Sequence, residues 1–519
     1  MKAVRLRAIA VLAYALFVAG AVQAVPRFDE VRSAHQPSDT LLLDRHGEVL
    51  HRLRTDATVR RGPWVALEDV SPALRTAIVL SEDKRFWEHS GVDWQAVSAA
   101  AWSSLWNERT RGASTITMQL AGLVDEDWRR PAGGRSVRQK LGQTVAAKRL
   151  EAGWRKDQIL EAYLNLVPLR GELVGIDALA RTLFAKAASG LDLREAAIAA
   201  ALVRAPNAAA TRVARRACEL MRDMQPGVRT DCASVELFAT AALQRRDFAA
   251  SEGIAPHLAR RAVAAAPASP TPTVVRTTLR APLQRFALAT LQRHLRELRG
   301  RHVEDGALVV LDNASGDVLA WVGSSGELSR AAEVDGVLAM RQPGSTLKPF
   351  LYAQAIAQQR LTAASLIDDS ATQINTAGGL YIPQNYDRQF KGHVSVRTAL
   401  AASLNVPAVR ALVMVSPQAF AQQLKANGLP LREGGDYYGY SLALGSAEVS
   451  LLTLTNAYRT LANGGLHSRT RYLPGGAGAP APSPVVDARG AFIVGRILAD
   501  ANPRARTVGP GSVLTGLEK

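Results

Sequence analysis

The stretch that most constrains this chain is Ser81-Glu82-Asp83-Lys84-Arg85-Phe86-Trp87-Glu88-His89-Ser90-Gly91-Val92-Asp93. An apolar helical run, Ala73 to Leu80, delivers two adjacent carboxylates to its end, and two aromatic residues follow at once. A carboxylate beside aromatic bulk loses solvent, and its proton affinity rises. A general base that takes a proton from a sugar hydroxyl near neutral pH needs that property. Further on, Gly112-Ala113-Ser114-Thr115-Ile116-Thr117-Met118-Gln119 reads as a small-residue turn full of hydroxyl and amide groups, suited to phosphate or sugar oxygens. Taken alone, Glu82-Asp83 reads first as a solvated helix end, and the second stretch as a Ser/Thr-rich cap.

Together, Glu82-Asp83-x-x-Phe86-x-x-His89-x-Gly91-x-Asp93 and Gly112-x-Ser114-Thr115-x-x-x-Gln119 resemble the peptidoglycan glycosyltransferases of family 51, the polymerising half of class A penicillin-binding proteins. The family's later motifs have counterparts in the same order. They are Gln139-Lys140-Leu141-Gly142-Gln143, Glu161-Ala162-Tyr163-Leu164-Asn165, Arg170-Gly171-Glu172 with Leu183-Phe184-Ala185-Lys186, and Glu195 with Ala205-Pro206-Asn207. Met118 and Gln143 are similar to one subgroup, the type 1C proteins.

The chain is 519 residues long, enough for more than one domain, and 47% hydrophobic, enough for full cores. Its net charge of +17 favours anionic partners such as acidic head groups or pyrophosphate. No nucleic-acid module appears, neither paired Cys/His spacing nor aromatic-interleaved basic strands. Two cysteines, Cys218 and Cys232, are too few for a disulfide scaffold and badly spaced for zinc. They read either as one local disulfide in an oxidising compartment or as two separate buried thiols.

Lys2, Arg5 and Arg7 precede an apolar segment, Ala8 to Val25, near the lower limit for a spanning helix. The basic flank predicts a cytoplasmic N-terminus and an exported remainder; the resemblance, with its membrane-lipid substrate, implies a single-pass protein of the bacterial inner membrane with its domains in the periplasm. A cleaved signal peptide ending at Val22-Gln23-Ala24 is the rival. The chain then divides into a β-hairpin apron (26–71), a mainly helical region (72–216), and a helical connector with a Pro-rich linker at 267–272 (217–300). A second domain (301–519) opens with a hairpin, Ala307 to Asp312 and Val318 to Gly323.

After that hairpin comes Arg341-Gln342-Pro343-Gly344-Ser345-Thr346-Leu347-Lys348-Pro349-Phe350, in which Ser345 should begin a helix with Lys348 one turn on. Ser403-Leu404-Asn405 follows. Ser-x-x-Lys with a later Ser-x-Asn is part of the signature of β-lactamases and penicillin-binding proteins. Gly439-Tyr440-Ser441-Leu442-Ala443-Leu444-Gly445 and Leu454-Thr455-Asn456-Ala457-Tyr458 also resemble the penicillin-binding transpeptidases. The resemblance covers about residues 30–512.

The resemblance implies a membrane helix, a lysozyme-like, mainly α glycosyltransferase domain, and an α/β domain of the β-lactamase/transpeptidase kind. Its substrates are lipid II, the growing glycan strand and a stem peptide ending in D-Ala-D-Ala; β-lactams are the expected inhibitors. Glu82 is the expected base, and Lys140 with Ser114, Thr115 and Gln119 the pyrophosphate site. Asp83 either orients Glu82 or binds a divalent ion, Mg or Mn, although no ligand cluster for a metal stands out. Relatives often carry glutamate where this chain has Gln143, which binds sugar or phosphate without charge.

In the second domain Ser345 is the expected nucleophile and Lys348 its base; Ser403 and Asn405 pass protons and hold the substrate amide. No Lys-Thr-Gly occurs here: Thr515-Gly516 follows Leu514. The expectation is an intact glycosyltransferase joined to an impaired transpeptidase. A non-catalytic cell-wall scaffold and a muramidase-like hydrolase are the alternatives.

Overall fold

The computed structural model describes residues 25–95, 114–124, 137–244, 250–265, 274–376, 379–475, 481–500 and 502–503, with side chains from 142 onward in the third segment. The apolar segment Ala8–Val25, apart from Val25, lies outside the described residues, as do Gly112, Ala113, Gly133, Gly134, the Pro-rich linker and residues 504–519. Among the described residues no helix is long and apolar enough to cross a membrane. The chain forms two units, residues 1–40 with 54–250 and residues 41–53 with 251–519.

The first unit is helical. Its helices are α1 (Phe28–Ala34), α2 (Pro72–Glu82), α3 (Ile116–Val124), α4 (Val137–Gly153), α5 (Lys156–Leu166), α6 (Ile176–Phe184), α7 (Leu193–Arg204), α8 (Ala210–Met224) and α9 (Cys232–Gln244). α7 is the axis of the core. Its residues from Glu195 to Val203 are all buried, and a helix apolar on every side belongs inside. Six of those nine positions hold alanine or valine, so neighbouring helices approach closely. A capping box starts α7: Asp192 accepts from the Glu195 amide at 2.9 Å, and Glu195 accepts from the Asp192 amide at 3.0 Å. α2 starts with Pro72, whose missing N–H costs nothing in the first turn. It buries Leu74, Ala77, Ile78 and Val79, which fixes where its last residue, Glu82, emerges. Cys218 of α8 and Cys232 of α9 are disulfide-bonded with Cα atoms 5.5 Å apart, closing the α8–α9 hairpin.

The second unit begins with strands from early in the chain. β1 (Asp39–Leu43) and β2 (Val49–Arg54) join β3 (Ser251–Gly253) and β4 (Val274–Arg276) in the order β3-β2-β1-β4. β1 runs parallel to β4 (Leu41 opposite Val274), and β2 antiparallel to β3 (His51 opposite Gly253). Asp44, in the turn between β1 and β2, accepts from the Ala281 amide at 3.1 Å and so caps α10 (Ala281–Glu297). β5 (Leu308–Leu311) and β6 (Val318–Val322) form the antiparallel hairpin expected from the sequence. A second core surrounds α11 (Lys348–Ala357), α12 (Asn405–Val415), α13 (Pro417–Ala426), α14 (Leu451–Ala462) and α15 (Ala488–Ala499). β7 (Leu366–Asp369) pairs antiparallel with β8 (Gly392–Ser395) beside it.

Ser345 does not begin an α-helix. It sits in a 3-10 turn, Gly344–Leu347, and α11 starts at Lys348 with proline next in line. The tighter turn presents Ser345 to solvent while Lys348 is buried.

Candidate active sites

In the first unit three helices converge on Glu82. α2 ends there, and Arg204 of α7 fastens that end by donating to the Ser81 carbonyl at 2.6 Å. Glu82 is half-buried. Its carboxylate accepts from Ser81 Oγ at 3.0 Å and from Gln119 Nε2 of α3 at 3.2 Å. Gln119 Oε1 in turn accepts from Tyr163 Oη of α5 at 3.0 Å. A carboxylate has about four lone-pair sites, so Glu82 keeps acceptor capacity for a substrate hydroxyl. The groups bonded to Glu82 are thus polar. Phe86 packs in the core with Lys156 Nζ 4.4 Å above its ring, and Trp87 is 56% exposed.

Asp83 is buried. His89 Nε2 lies 2.9 and 3.0 Å from its two oxygens, and the Ile116 amide donates to Oδ2 at 3.1 Å. Asp83 therefore ties the end of α2 to the start of α3. Among the described residues no three His, Cys, Asp or Glu groups gather as ligands for a divalent ion. Thr115 is buried too. Its Oγ1 donates to Gly91 O at 2.6 Å and accepts from the Met118 amide at 3.1 Å, the work of a helix N-cap.

Ser114 Oγ is shielded from solvent and has no hydrogen-bond partner among the described residues. Lys140 lies on α4 with its side chain outside the described residues, and Gln143 on the same helix is 2% exposed. The later motif residues are fasteners. Glu161 accepts from Trp64 Nε1 and the Leu67 amide, at 2.7 and 2.8 Å. Asn165 pairs with both backbone groups of Val65 at 2.8 Å. Glu195 bonds Lys186.

In the second unit Lys348 is 1% exposed, and burial pushes its amine down to about 8. Its Nζ donates to Ser403 O at 2.7 Å, Asn405 Oδ1 at 2.7 Å and Ser403 Oγ at 3.2 Å. Ser403 adopts φ +53°, a left-handed conformation that a non-glycine residue holds only when its surroundings enforce it. That conformation turns both its carbonyl and its hydroxyl onto Lys348. The Ser345 turn is braced from behind. Tyr458 Oη donates to Thr346 O at 2.8 Å. Gly445, at φ +80°, lies so close to Gly344 that an added Cβ would meet its carbonyl oxygen at 2.1 Å.

Sequence reasoning missed the support behind Asn405. Asn385 Oδ1 accepts from the Asn405 and Val406 amides at 2.9 and 3.3 Å, capping α12. Asn385 Nδ2 donates to both oxygens of the fully buried Asp369 at 2.9 Å. Asn405 Nδ2 donates to Gln384 O at 2.8 Å. The stretch Pro383-Gln384-Asn385-Tyr386-Asp387 reads as a turn, so nothing marks Asn385 as a buried cap.

Both units match known families. Residues 46–225 match the transglycosylase family, and residues 306–473 the penicillin-binding protein transpeptidase domain. The chain belongs to the class A penicillin-binding proteins. It is 33% identical over 462 residues to penicillin-binding protein 1C of Escherichia coli K12, covering 85% of this chain and 56% of that one. It is 27% identical over 461 residues to penicillin-binding protein 1F of Bacillus subtilis, covering 83% and 60%. The chain thus spans 56% and 60% of the length of these relatives. The crystal structure of penicillin-binding protein 1A from Haemophilus influenzae shares the fold, with a TM-score of 0.55 at 17% identity over 90% of this chain and 80% of that one. As in a class A penicillin-binding protein, the Glu82 cluster lies in the transglycosylase match, and Ser345, Lys348, Ser403 and Asn405 in the transpeptidase match.

Proposed function

We propose that this chain is a peptidoglycan glycosyltransferase that polymerises lipid II, with a penicillin-binding D,D-transpeptidase site in its second unit. The observation that carries the reading is Glu82, half-open to solvent at the meeting of three helices and held by donors on two sides. Glu82 takes the proton from a sugar hydroxyl of one lipid-linked unit. That oxygen bonds to the anomeric carbon of the growing strand, and the bond to the lipid pyrophosphate breaks with the electron pair leaving on phosphate. Lys140 and the Ser114 hydroxyl are the groups we assign to the anionic leaving group, where fixed donors and cations stabilise developing charge. Asp83 and Thr115 fix α3 against α2, and Gln143 is packed inside.

In the second unit Ser345 attacks the carbonyl of a D-Ala-D-Ala stem peptide or a β-lactam. Lys348 accepts its proton, with Ser403 and Asn405 around the amine. The basic flank before Ala8–Val25, together with a lipid-linked substrate, favours a single-pass inner-membrane protein with periplasmic domains. N-terminal sequencing of the extracted protein should read from the start of the chain; a start at Val25 would refute the anchor.

The assignment of polymerisation to the first unit is tested by Ser345→Ala. The variant should consume lipid II at the parent rate, because Ser345 belongs to the second unit's site. A parallel loss of consumption would contradict the division of labour.

A further inference from the structure

We propose that Tyr163 is a positioning residue for Glu82, acting through Gln119. The inference rests on the glycosyltransferase reading and extends it by one residue. Tyr163 is completely buried on α5, and its hydroxyl donates to Gln119 Oε1 at 3.0 Å. Gln119 Nε2 donates to Glu82 Oε2 at 3.2 Å. The three residues come from three helices and form one chain of donors running toward the carboxylate.

The direction of that chain is fixed chemically. Burial, and then the charge of Glu82, push the Tyr163 hydroxyl well above its ordinary range, so it remains protonated and remains a donor. A donor at Oε1 leaves Nε2 to face Glu82. The reversed amide would set Oε1 against a carboxylate oxygen, two acceptors in contact. Without the hydroxyl, the half-buried Gln119 Oε1 would lose its donor, and an acceptor left without a partner costs more than a bond gained elsewhere. The side chain would then turn to another donor and give up Glu82. The carboxylate would keep Ser81 but lose the bond that ties it to α3.

Gln119 thus spends its carbonyl on Tyr163 and one of its two N–H bonds on the base. Tyr163 itself touches no substrate.

The test is a double-substitution cycle on lipid II polymerisation, scored per folded molecule from melting curves run in parallel. Tyr163→Phe keeps the ring and removes the donor; Gln119→Met keeps the length and removes the amide. Each should lower kcat roughly tenfold or more with KM unchanged, as expected for a lost bond to a charged group. The double variant should be no slower than Gln119→Met, because Tyr163 acts only through that amide. A Tyr163→Phe protein at the parent rate overturns the proposal. So do losses that multiply in the double variant, and so does a raised KM at constant kcat, which would make Gln119 a substrate ligand. A parent protein that does not polymerise lipid II removes the glycosyltransferase reading itself, an outcome distinct from all three.

Discussion

Glu82→Gln should lower the rate of lipid II polymerisation by about 10² to 10⁴-fold, the contribution typical of a positioned general base. The protein should still fold. Glutamine matches glutamate in size, its carbonyl can accept from Gln119 Nε2, and its amide can donate to the Ser81 hydroxyl. What the variant lacks is a group that takes a proton. Asp83 is committed to His89 and the Ile116 amide, which hold it as the tie between α2 and α3. Steady-state rates and a melting curve on the same preparation check this. Retained activity would move the base away from the end of α2.

The second large effect concerns Lys348. Acylation of Ser345 by a fluorescent penicillin should rise with pH through about 8, and Lys348→Met should abolish it. Burial lowers the amine from its ordinary 10.5, so the neutral form that accepts a proton becomes abundant above about 8. The charged amine donates to three oxygens, those of Ser403 O, Ser403 Oγ and Asn405 Oδ1. A neutral amine has only two N–H bonds and one lone pair. The Ser403 hydroxyl can reverse and donate to that lone pair, or release it to Ser345, whereas the other two oxygens can only accept. A labelling rate flat across about pH 6 to 10 would contradict Lys348 as the base.

Much of this was legible because the informative residues are local. Glu82 with Asp83, and Ser345 with Lys348, are close in sequence, and the elements carrying them follow from apolar periodicity and proline placement. The order of motifs, the hairpin at 308–322 and the helix after Ser345 were read from the chain alone, the last with its start shifted to Lys348. What sequence could not show is which polar groups satisfy one another. Asp83 reads as an orienting group or an ion ligand and Thr115 as part of the pyrophosphate site, yet a helix start inside a core needs acceptors for its free amides, and these two supply them to α3. Tyr163 is legible only as part of a motif; its hydroxyl matters because folding places Gln119 beside it. Asn385 and Asp369 lie on a turn and a short strand, and their service to Asn405 depends on long-range packing.

The same limit explains the aromatic residues beside Glu82. Adjacency in sequence suggested a hydrophobic wall for the base. At the end of α2 the chain turns at once, Phe86 goes into the core, Trp87 goes to the surface, and polar neighbours from α3 and Ser81 meet the carboxylate.

Whether the first unit joins lipid-linked disaccharides is decided by the size of the product formed from purified lipid II by the detergent-solubilised protein. Lipid II should disappear as glycan polymers many units long appear. Unchanged lipid II would favour a scaffold without catalysis, shortening of pre-formed glycan would favour a hydrolase, and either result would rule out polymerisation by this protein.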